Sequence, residues 1–221
     1  MSLTPEQHLR ALQQDVEARS EGRCRILAVS KIKPASDLRR LAGLGQFDFG
    51  ENYVQEAIGK QHELADLPLT WHLIGPLQTN KAKLVAQHFA YVHSVDRLRL
   101  IEALQQHRAV QLPRLKVFIQ VNIDQEPSKS GCDPAQVPEL VRALAGCDRL
   151  QLVGLMCIPR PGAEPEKSRP AFARLRALQQ LASKSSPDCV GLSMGMSDDY
   201  AIAIAEGATW VRIGSLLFGA R

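Results

Sequence analysis

The sequence contains few aromatic residues and no apolar run long enough to cross a bilayer. Aromatic residues make up 5% of its 221 residues, while hydrophobic residues reach 45%, which is enough for a sizeable core. No apolar run approaches the roughly 18 residues of a membrane-spanning helix, and the first residues, MSLTPEQHLR, lack the apolar centre of a secretion signal. We therefore expect a folded, cytoplasmic protein that does not bind membranes.

Metal-binding and disulfide patterns are also missing from the sequence. The five cysteines form no CxxC pair, show no metal-ligand spacing and are odd in number: Cys24, Cys132, Cys147, Cys157 and Cys189. Such cysteines are typical of reduced thiols in a cytoplasmic protein. The net charge of +4 is small and no block of like charge occurs. The composition therefore does not favour nucleic acid as a partner.

After a first helix, the chain alternates between short apolar runs and amphipathic stretches. Thr4 and Gln7 form a capping-box start for a helix that runs to about Arg19. Eight apolar runs predict strands at residues 26–30, 47–50, 71–75, 91–95, 115–123, 150–158, 190–194 and 209–214. Each of the seven gaps holds a stretch of helical period, at residues 36–44, 53–64, 79–88, 96–108, 134–145, 169–184 and 198–206.

Apolar strands that alternate with helices predict parallel pairing with both faces of the sheet covered. An open doubly wound sheet and a closed (β/α)₈ barrel, the TIM barrel, both have this pattern. Eight regular units favour the barrel, and no GxGxxG motif follows the first strand to support a dinucleotide-binding sheet. Because no linker separates two domains, we predict a single α/β domain over residues 1–221, a TIM barrel with an extra amino-terminal helix.

In such a barrel the functional residues lie in the loops that follow the strands. Lys31 ends the first strand beside Lys33, and a partly desolvated lysine there is a candidate Schiff-base nucleophile, with a surface lysine as the alternative. Arg212 interrupts the apolar strand TWVRIG; inside a barrel mouth its charge needs an acidic partner or a ligand, and a snorkelling arginine is the alternative. His72 is more typical of a hydrogen-bonded core histidine than of a catalyst.

The last two loops carry the glycine and hydroxyl residues that are typical of a phosphate site. The segment SMGMS at 193–197 and the pair Gly214 and Ser215 supply hydroxyls, and their glycines let backbone N–H groups approach an anion. Phosphate groups often bind at these two loops in TIM barrels. Two turns that only cap helices would look the same, so both interpretations stay open at this point. No cluster of side chains predicts a metal site.

Seven longer segments carry a family resemblance: AVSKIKP (28–34), FGENYVQE (49–56), WHLIGPLQTNK (71–81), VNIDQEPSKSG (121–131), GLMCIP (154–159), LSMGMSDDY (192–200) and VRIGSLLFGAR (211–221). In this order they closely resemble the YggS/PROSC family, the homeostasis proteins of pyridoxal 5′-phosphate (PLP). The resemblance covers nearly the whole chain. It implies a fold like the barrel domain of alanine racemase, with PLP held as a lysine Schiff base.

The resemblance also implies roles for individual residues. Lys31 matches the Schiff-base lysine, Arg212 the arginine that faces the pyridine nitrogen, and Asn52 a residue beside the cofactor. The positions that match phosphate contacts are Ser193, Gly214 and Ser215. Lys129 matches a lysine proposed to handle PLP away from the main site. The chain departs from the family at Ile32, where threonine is common, so a role for that hydroxyl is in doubt here.

Three functions compete: a PLP carrier that buffers and delivers the cofactor, a PLP-dependent amino-acid racemase, and a ligand-free structural barrel. The convergence of Lys31, Arg212 and the two phosphate-like loops at one end of the barrel disfavours the third. An arginine at the pyridine nitrogen weakens the ring as an electron sink, and we expect no room for a second catalytic domain. The carrier, without substantial turnover, is therefore favoured. Its expected partners are PLP and apo PLP-dependent enzymes, and its expected state is a monomer or weak dimer.

Overall fold

Eight parallel strands close into a barrel in which each strand pairs with the next along the chain and the last pairs with the first. The computed structural model describes residues 4–126, 129–160 and 164–219. The strands are β1 (Arg25–Val29), β2 (Asp48–Glu51), β3 (Thr70–Leu73), β4 (Tyr91–Val95), β5 (Leu115–Val121), β6 (Leu150–Cys157), β7 (Gly191–Ser193) and β8 (Trp210–Ile213). The predicted fold class, a (β/α)₈ barrel, is confirmed.

Helices alternate with these strands around the outside of the barrel. In the described ranges they are α1 (Pro5–Ser20), α2 (Ala35–Ala42), α3 (Val54–Glu63), α4 (Ala82–His88), α5 (Leu98–His107), α6 (Val137–Ala145), α7 (Arg169–Ser183), α8 (Tyr200–Ala205) and α9 (Ser215–Phe218). Every predicted helix occurs, with ends that differ from the prediction by up to three residues; α4 and α6 begin later than predicted because a 3₁₀ turn forms their first residues. Helix α9 lies where the sequence predicts only a glycine-serine loop, because four residues are too few to show a helical period.

The extra amino-terminal helix α1 begins at its predicted capping box. The Thr4 Oγ1 accepts a hydrogen bond from the Gln7 backbone N–H at 3.3 Å, and the Gln7 Oε1 accepts one from the Thr4 N–H at 2.9 Å. The helix buries Leu9, Leu12 and Val16 and packs against α8 and α9. It therefore covers the part of the barrel where the first and last strands meet.

The apolar core divides into two parts, one on each side of the barrel wall. The larger part fills the layer between the strands and the helices, with fully buried residues such as Leu38, Leu104 and Phe172. The smaller part lies inside the barrel. Successive residues of a strand point alternately outwards and inwards, and the inward ones form this part. It is a cluster of four buried residues: Leu27, Phe118, Met156 and Trp210.

Two glycines make room for the inner side chain of Phe118. Gly154 of β6 pairs with Gly191 of β7, and a Cβ atom built on Gly154 would meet the Gly191 backbone oxygen at 2.1 Å. A Cβ atom on Gly191 would in turn meet the Phe118 ring at 2.9 Å. These two strands can therefore approach closely while the ring fills the space inside them. No helix of the described ranges combines the length and apolar character that crossing a bilayer requires.

Candidate ligand-binding site

The loops that follow the strands enclose a cavity of about 380 Å³ at the carboxyl-terminal mouth of the barrel. Small-molecule sites have volumes of roughly 300–1,000 Å³, so the cavity suits a ligand of cofactor size. Five of the residues that the sequence singles out line it together: Lys31, Asn52, Arg212, Gly214 and Ser215. They come from the ends of three strands, β1, β2 and β8, that are neighbours only in the closed barrel.

A second and larger cavity, of about 860 Å³, lies on the outer surface beside α7. Its walls include Asp124, Arg174 and Leu181, and none of the five predicted residues. We place the candidate site in the smaller cavity because only there do a lysine amine, a buried guanidinium and serine hydroxyls share one space. The described residues hold no group of three side chains able to bind a metal ion.

The turn that carries Lys31 is tight and strained. Ile32, the next residue, has a φ of 64° and is 67% exposed. The left-handed region is unfavourable for a β-branched residue, by about 1–3 kcal/mol. Two hydrogen bonds hold the turn: the Ile32 N–H donates to the Glu56 carboxylate at 2.6 Å, and the Lys33 N–H donates to the Ser30 carbonyl at 3.0 Å. The strain is thus kept by contacts that fix the backbone of Lys31 at the cavity.

A buried charge cluster lies next to this turn and ties β1 to β2. The Lys60 ammonium donates to Glu51, to Glu56 and to the Ser30 carbonyl, each at 2.7 Å, and the Ser30 hydroxyl donates to Glu51 at 2.6 Å. Burial raises the pKa of the Glu51 carboxyl, while the hydrogen bonds from Lys60 and Ser30 act against that shift. Because Ser30 precedes Lys31 and Glu51 precedes Asn52, the cluster fixes two cavity residues side by side.

Arg212 lies in the barrel wall with only 4% of its surface exposed. Its Nη1 donates to the Ser193 carbonyl at 2.7 Å and to the Ser193 hydroxyl at 3.0 Å, and its Nη2 donates to the Cys157 carbonyl at 2.8 Å. Burial lowers the pKa of this guanidinium. Among the described side chains, no carboxylate forms an ion pair with it. The sequence predicts either an acidic partner or a ligand for the charge of Arg212. Since no acidic partner is found among the described side chains, we expect a ligand in the cavity.

The loops after β7 and β8 meet at the same cavity. Ser197 and Ser215 both line it, and the Leu216 N–H donates to the Ser197 hydroxyl at 3.4 Å. Gly195, with a φ of 89°, turns the chain here, and a Cβ atom on it would meet the Ala203 side chain at 2.5 Å. The two predicted phosphate-like loops are thus in contact, and their hydroxyls face one space.

Two residues of the predicted site lie elsewhere. Ser193 is fully buried inside the barrel and does not line the cavity; its hydroxyl is used by Arg212 and by His93, whose Nδ1 is 2.8 Å away. Ser197, four residues further on, takes the position at the cavity. Lys129 donates to the Pro159 carbonyl at 2.7 Å and is also outside the cavity lining. A phosphate contact by Ser193 therefore has no geometric support, and the role of Lys129 stays a prediction.

Sequence reasoning missed the polar side chains inside the barrel. His72 is buried and hydrogen-bonded, as predicted, but its partners are Asp48 and His93, which the sequence did not single out. The signal was present in the alternation of WHL and YVHSV, which points both histidines to the same side of the sheet. The Glu51–Lys60 pair left no such signal, because it joins a strand end to a helix.

Comparison with known proteins gives one consistent family. The family model described as the alanine racemase N-terminal domain matches residues 6–221. A protein of Pseudomonas aeruginosa named pyridoxal phosphate homeostasis protein is 55% identical over 196 residues, 89% of this chain and 84% of the relative. The protein of the same name in Escherichia coli K12 is 47% identical over 207 residues, 92% of this chain and 88% of the relative.

Solved structures agree with these relatives. PipY of Synechococcus elongatus with PLP bound superposes with a TM-score of 0.88 at 40% identity, covering 98% of this chain and all of that one. Alanine racemase of Corynebacterium glutamicum superposes with a TM-score of 0.71 at 14% identity, covering 96% of this chain and 61% of the racemase. The second likeness concerns the fold alone, while the first extends to a protein with its cofactor in place.

Proposed function

This chain belongs to the family of pyridoxal phosphate homeostasis proteins, and we propose that it binds PLP at the mouth of its barrel through Lys31. It holds the cofactor as a Schiff base, limits the free aldehyde and delivers it to apo PLP-dependent enzymes. The observation that carries this proposal is one cavity lined by Lys31, Arg212 and Ser215 together.

The residues at the cavity fit the chemistry of PLP. The cofactor supplies an aldehyde that condenses with an amine, and a pyridine ring that withdraws electrons. Lys31 is the amine. The buried Arg212 guanidinium, without a carboxylate partner in the described chain, would face the ring nitrogen. Ser197, Gly214 and Ser215, which lie where the last two loops meet, would hold the phosphate through hydroxyl and backbone N–H donors. Asn52 would lie beside the ring.

The same residues favour holding the cofactor over turning over amino acids. A guanidinium stays protonated at neutral pH and donates hydrogen bonds, so it leaves the ring nitrogen it faces without a proton and the ring a weak electron sink. Two side chains that could act as acid or base opposite Lys31, Tyr53 and His72, do not line the described cavity. Tyr53 is 57% exposed at the N-cap of α3, and His72 is buried inside the barrel. The relatives are named for PLP homeostasis, and the racemase likeness is one of fold.

The setting of this function is also a proposal. All five cysteines are free thiols, and burial raises the pKa of four of them, Cys24, Cys132, Cys157 and Cys189, to about 12. Such thiols stay protonated and unreactive at neutral pH, which suits the reducing cytoplasm and a protein that carries an aldehyde. Side-chain amines, not thiols, are then the groups that meet the cofactor.

Covalent trapping tests the proposal directly. The protein is mixed with PLP, its visible absorbance is recorded, and the complex is reduced with borohydride and mapped by peptide mass spectrometry. We expect the label on Lys31, its loss in Lys31→Ala, and its retention in Lys33→Ala, a matched control because Lys33 lines the same cavity. A label confined to Lys33 or Lys129 would refute the assignment, and a protein that takes up no PLP would refute the function.

A second experiment separates the carrier from the racemase. The PLP-loaded protein is incubated in heavy water with a panel of L-amino acids, and chiral inversion and deuterium uptake at Cα are followed. We expect at most trace exchange. Turnover near the typical enzyme value of about 10 s⁻¹ on any amino acid, lost in Lys31→Ala, would establish a racemase instead.

A further inference from the structure

A line of hydrogen-bonded polar side chains runs through the inside of the barrel, from its amino-terminal floor to the cavity at its mouth. Its members come from five strands: Asp48, His72, His93, Ser193 and Arg212. The Asp48 Oδ1 lies 3.1 Å from the His72 Nε2, and the His72 Nδ1 lies 3.0 Å from the His93 Nε2. The His93 Nδ1 lies 2.8 Å from the Ser193 hydroxyl, which is 3.0 Å from the Arg212 Nη1.

The chemistry of the floor sets the direction of the first two bonds. Asp48 also forms an ion pair with the Arg25 guanidinium at 2.6 Å, and the carboxylate of an ion pair only accepts hydrogen bonds. The His72 Nε2 must therefore carry the proton. Burial lowers the pKa of His72, so the ring is neutral and its Nδ1 is an acceptor. The proton between the two rings then belongs to the His93 Nε2.

The same reasoning fixes the remaining bonds up to the cavity. Burial lowers the pKa of His93 well below its usual value, so its Nδ1 is an acceptor and the Ser193 hydroxyl donates to it. The Ser193 oxygen is then left to accept from the Arg212 guanidinium, as the geometry shows. With the Asp48 carboxylate ionised and both imidazoles neutral, only one arrangement of protons satisfies the five side chains. It points every donor from the cation at the mouth towards the anion at the floor.

Aromatic rings keep the two histidines in place. His72 stacks on the Tyr91 ring with centroids 4.2 Å apart and planes 2° from parallel, and His93 stacks on the Phe118 ring at 4.4 Å. The stacking holds the plane of each imidazole, and within that plane a flipped ring would lose its hydrogen bonds. The chain of bonds is therefore built into the packing inside the barrel. Arg212 is its end at the cavity of the mouth, and Asp48, its other end, lines two cavities at the amino-terminal side.

We propose that Asp48, His72, His93 and Ser193 form a positioning relay that orients Arg212 and sets how strongly its guanidinium donates into the cavity. This inference rests on the proposed function, in which Arg212 faces the ring nitrogen of PLP. Each neutral member is polarised by its neighbours, and chains of hydrogen bonds strengthen in this way inside proteins. The electronic state of the bound ring therefore depends on Asp48, at the opposite end of the barrel.

The first test needs no cofactor. Long-range ¹⁵N–¹H NMR spectra of the ligand-free protein report which nitrogen of each imidazole carries a proton. We expect His72 and His93 both as neutral Nε2–H tautomers from pH 8 to pH 6, with exposed His62 as the reference signal. An Nδ1–H tautomer or an imidazolium at either position would overturn the relay, whatever the protein does with PLP.

The second test cuts the chain at one hydroxyl and has a matched control. Ser193→Ala removes the hydroxyl between His93 and Arg212. Ser94→Ala removes one from a serine that is also buried, in β4, and whose Oγ has no hydrogen-bond partner in the described structure. We expect Ser193→Ala to shift the visible absorption maximum of bound PLP and to weaken PLP and pyridoxal alike, by about tenfold each. Ser94→Ala should change neither.

The outcomes separate three explanations. Equal weakening of PLP and pyridoxal by Ser193→Ala, with the same direction of spectral shift in Asp48→Asn, supports the relay, since both ligands share the ring nitrogen. Weakening of PLP alone would overturn it and make Ser193 a phosphate contact. Lower stability in urea with an unchanged spectrum and affinity would overturn it and leave a structural chain. A wild-type protein that binds no PLP would instead refute the proposed function. The NMR spectra would still test whether the two histidines have the protonation that the relay requires.

Discussion

The two sides of the barrel wall are built in opposite ways. On the outside, between strands and helices, buried residues such as Leu38 and Phe172 form one continuous apolar layer. On the inside, four buried apolar residues form the core cluster, and a line of polar groups passes beside them. The outer layer is stabilised by the hydrophobic effect, which is non-directional and needs only apolar side chains of suitable volume. The inside is held by directional bonds that need particular atoms at particular distances.

This difference separates stability from function within one small fold. A buried polar group costs free energy unless it is hydrogen-bonded, so a barrel interior filled with Leu and Val would be at least as stable. We therefore attribute the polar side chains inside the barrel to ligand binding in the cavity at its carboxyl-terminal mouth, which contains Lys31 and Arg212. Changes on the outside should alter stability without altering ligand binding, whereas changes at the cavity or along the polar line should alter ligand binding.

The largest expected effect on stability is on the outside. Phe172→Ala removes a fully buried ring from α7 and leaves a cavity, which should lower the free energy of unfolding by about 3–5 kcal/mol. Urea denaturation measures this loss. The absorption maximum of bound PLP should not change, because the ring lies outside the wall. A spectral shift in this variant would show that the two sides are not independent.

A somewhat smaller effect is expected where a polar cluster supports the mouth. Lys60→Met leaves Glu51 buried with Ser30 as its remaining partner and should lower the free energy of unfolding by about 3 kcal/mol. Losing Lys60 removes the influence that opposes the raised pKa of Glu51. Because a carboxyl group with a raised pKa binds its proton more readily in the folded state, the folded variant gains stability as pH falls through that pKa. The stability lost in Lys60→Met should therefore be smaller at pH 5 than at pH 8. Equal losses at both pH values would contradict this account.

A third change acts on the ligand without acting on stability. Replacing Ser197 and Ser215 together by Ala should weaken PLP by more than about tenfold, because a hydrogen bond to a charged group contributes roughly 1.5–3 kcal/mol. Pyridoxal, which has no phosphate, should bind as in the wild type. Comparing the two dissociation constants checks this. If both ligands weaken to the same extent, these loops do not hold the phosphate.

The smallest effect is a pH dependence carried by the inner histidines. Burial holds the pKa values of His72 and His93 below 6.5 in the folded state, so the unfolded chain binds more protons below that pH and stability falls as pH falls. His93, whose pKa lies well below its usual value, should cost about 1 kcal/mol between pH 6.5 and pH 5.5, and His72 should act in the same direction. Urea denaturation of the ligand-free protein across this range should therefore show a slope that is shallower in His93→Gln. A slope that His93→Gln leaves unchanged would place the protonation elsewhere.

Much of the fold follows from local pattern. The eight apolar runs predict the strands because each is buried on both faces, and the intervening amphipathic stretches predict the helices because each presents one apolar face. Five of the predicted site residues share the cavity because parallel strands in a closed barrel bring all their carboxyl ends to one rim. Connectivity and period are enough for that inference.

What the pattern did not decide is the direction of individual side chains. Ser193 and Ser197 stand in one segment, SMGMS, and only the end of β7 and the left-handed turn at Gly195 send the first inward and the second to the cavity. The contact between His72 and His93 likewise depends on the pairing of His72 with Tyr91 across β3 and β4. Sequence fixes which residues each strand contributes. Register and closure of the barrel decide which of them touch, because a hydrogen bond tolerates errors of only a few tenths of an ångström, while a buried apolar residue needs only space.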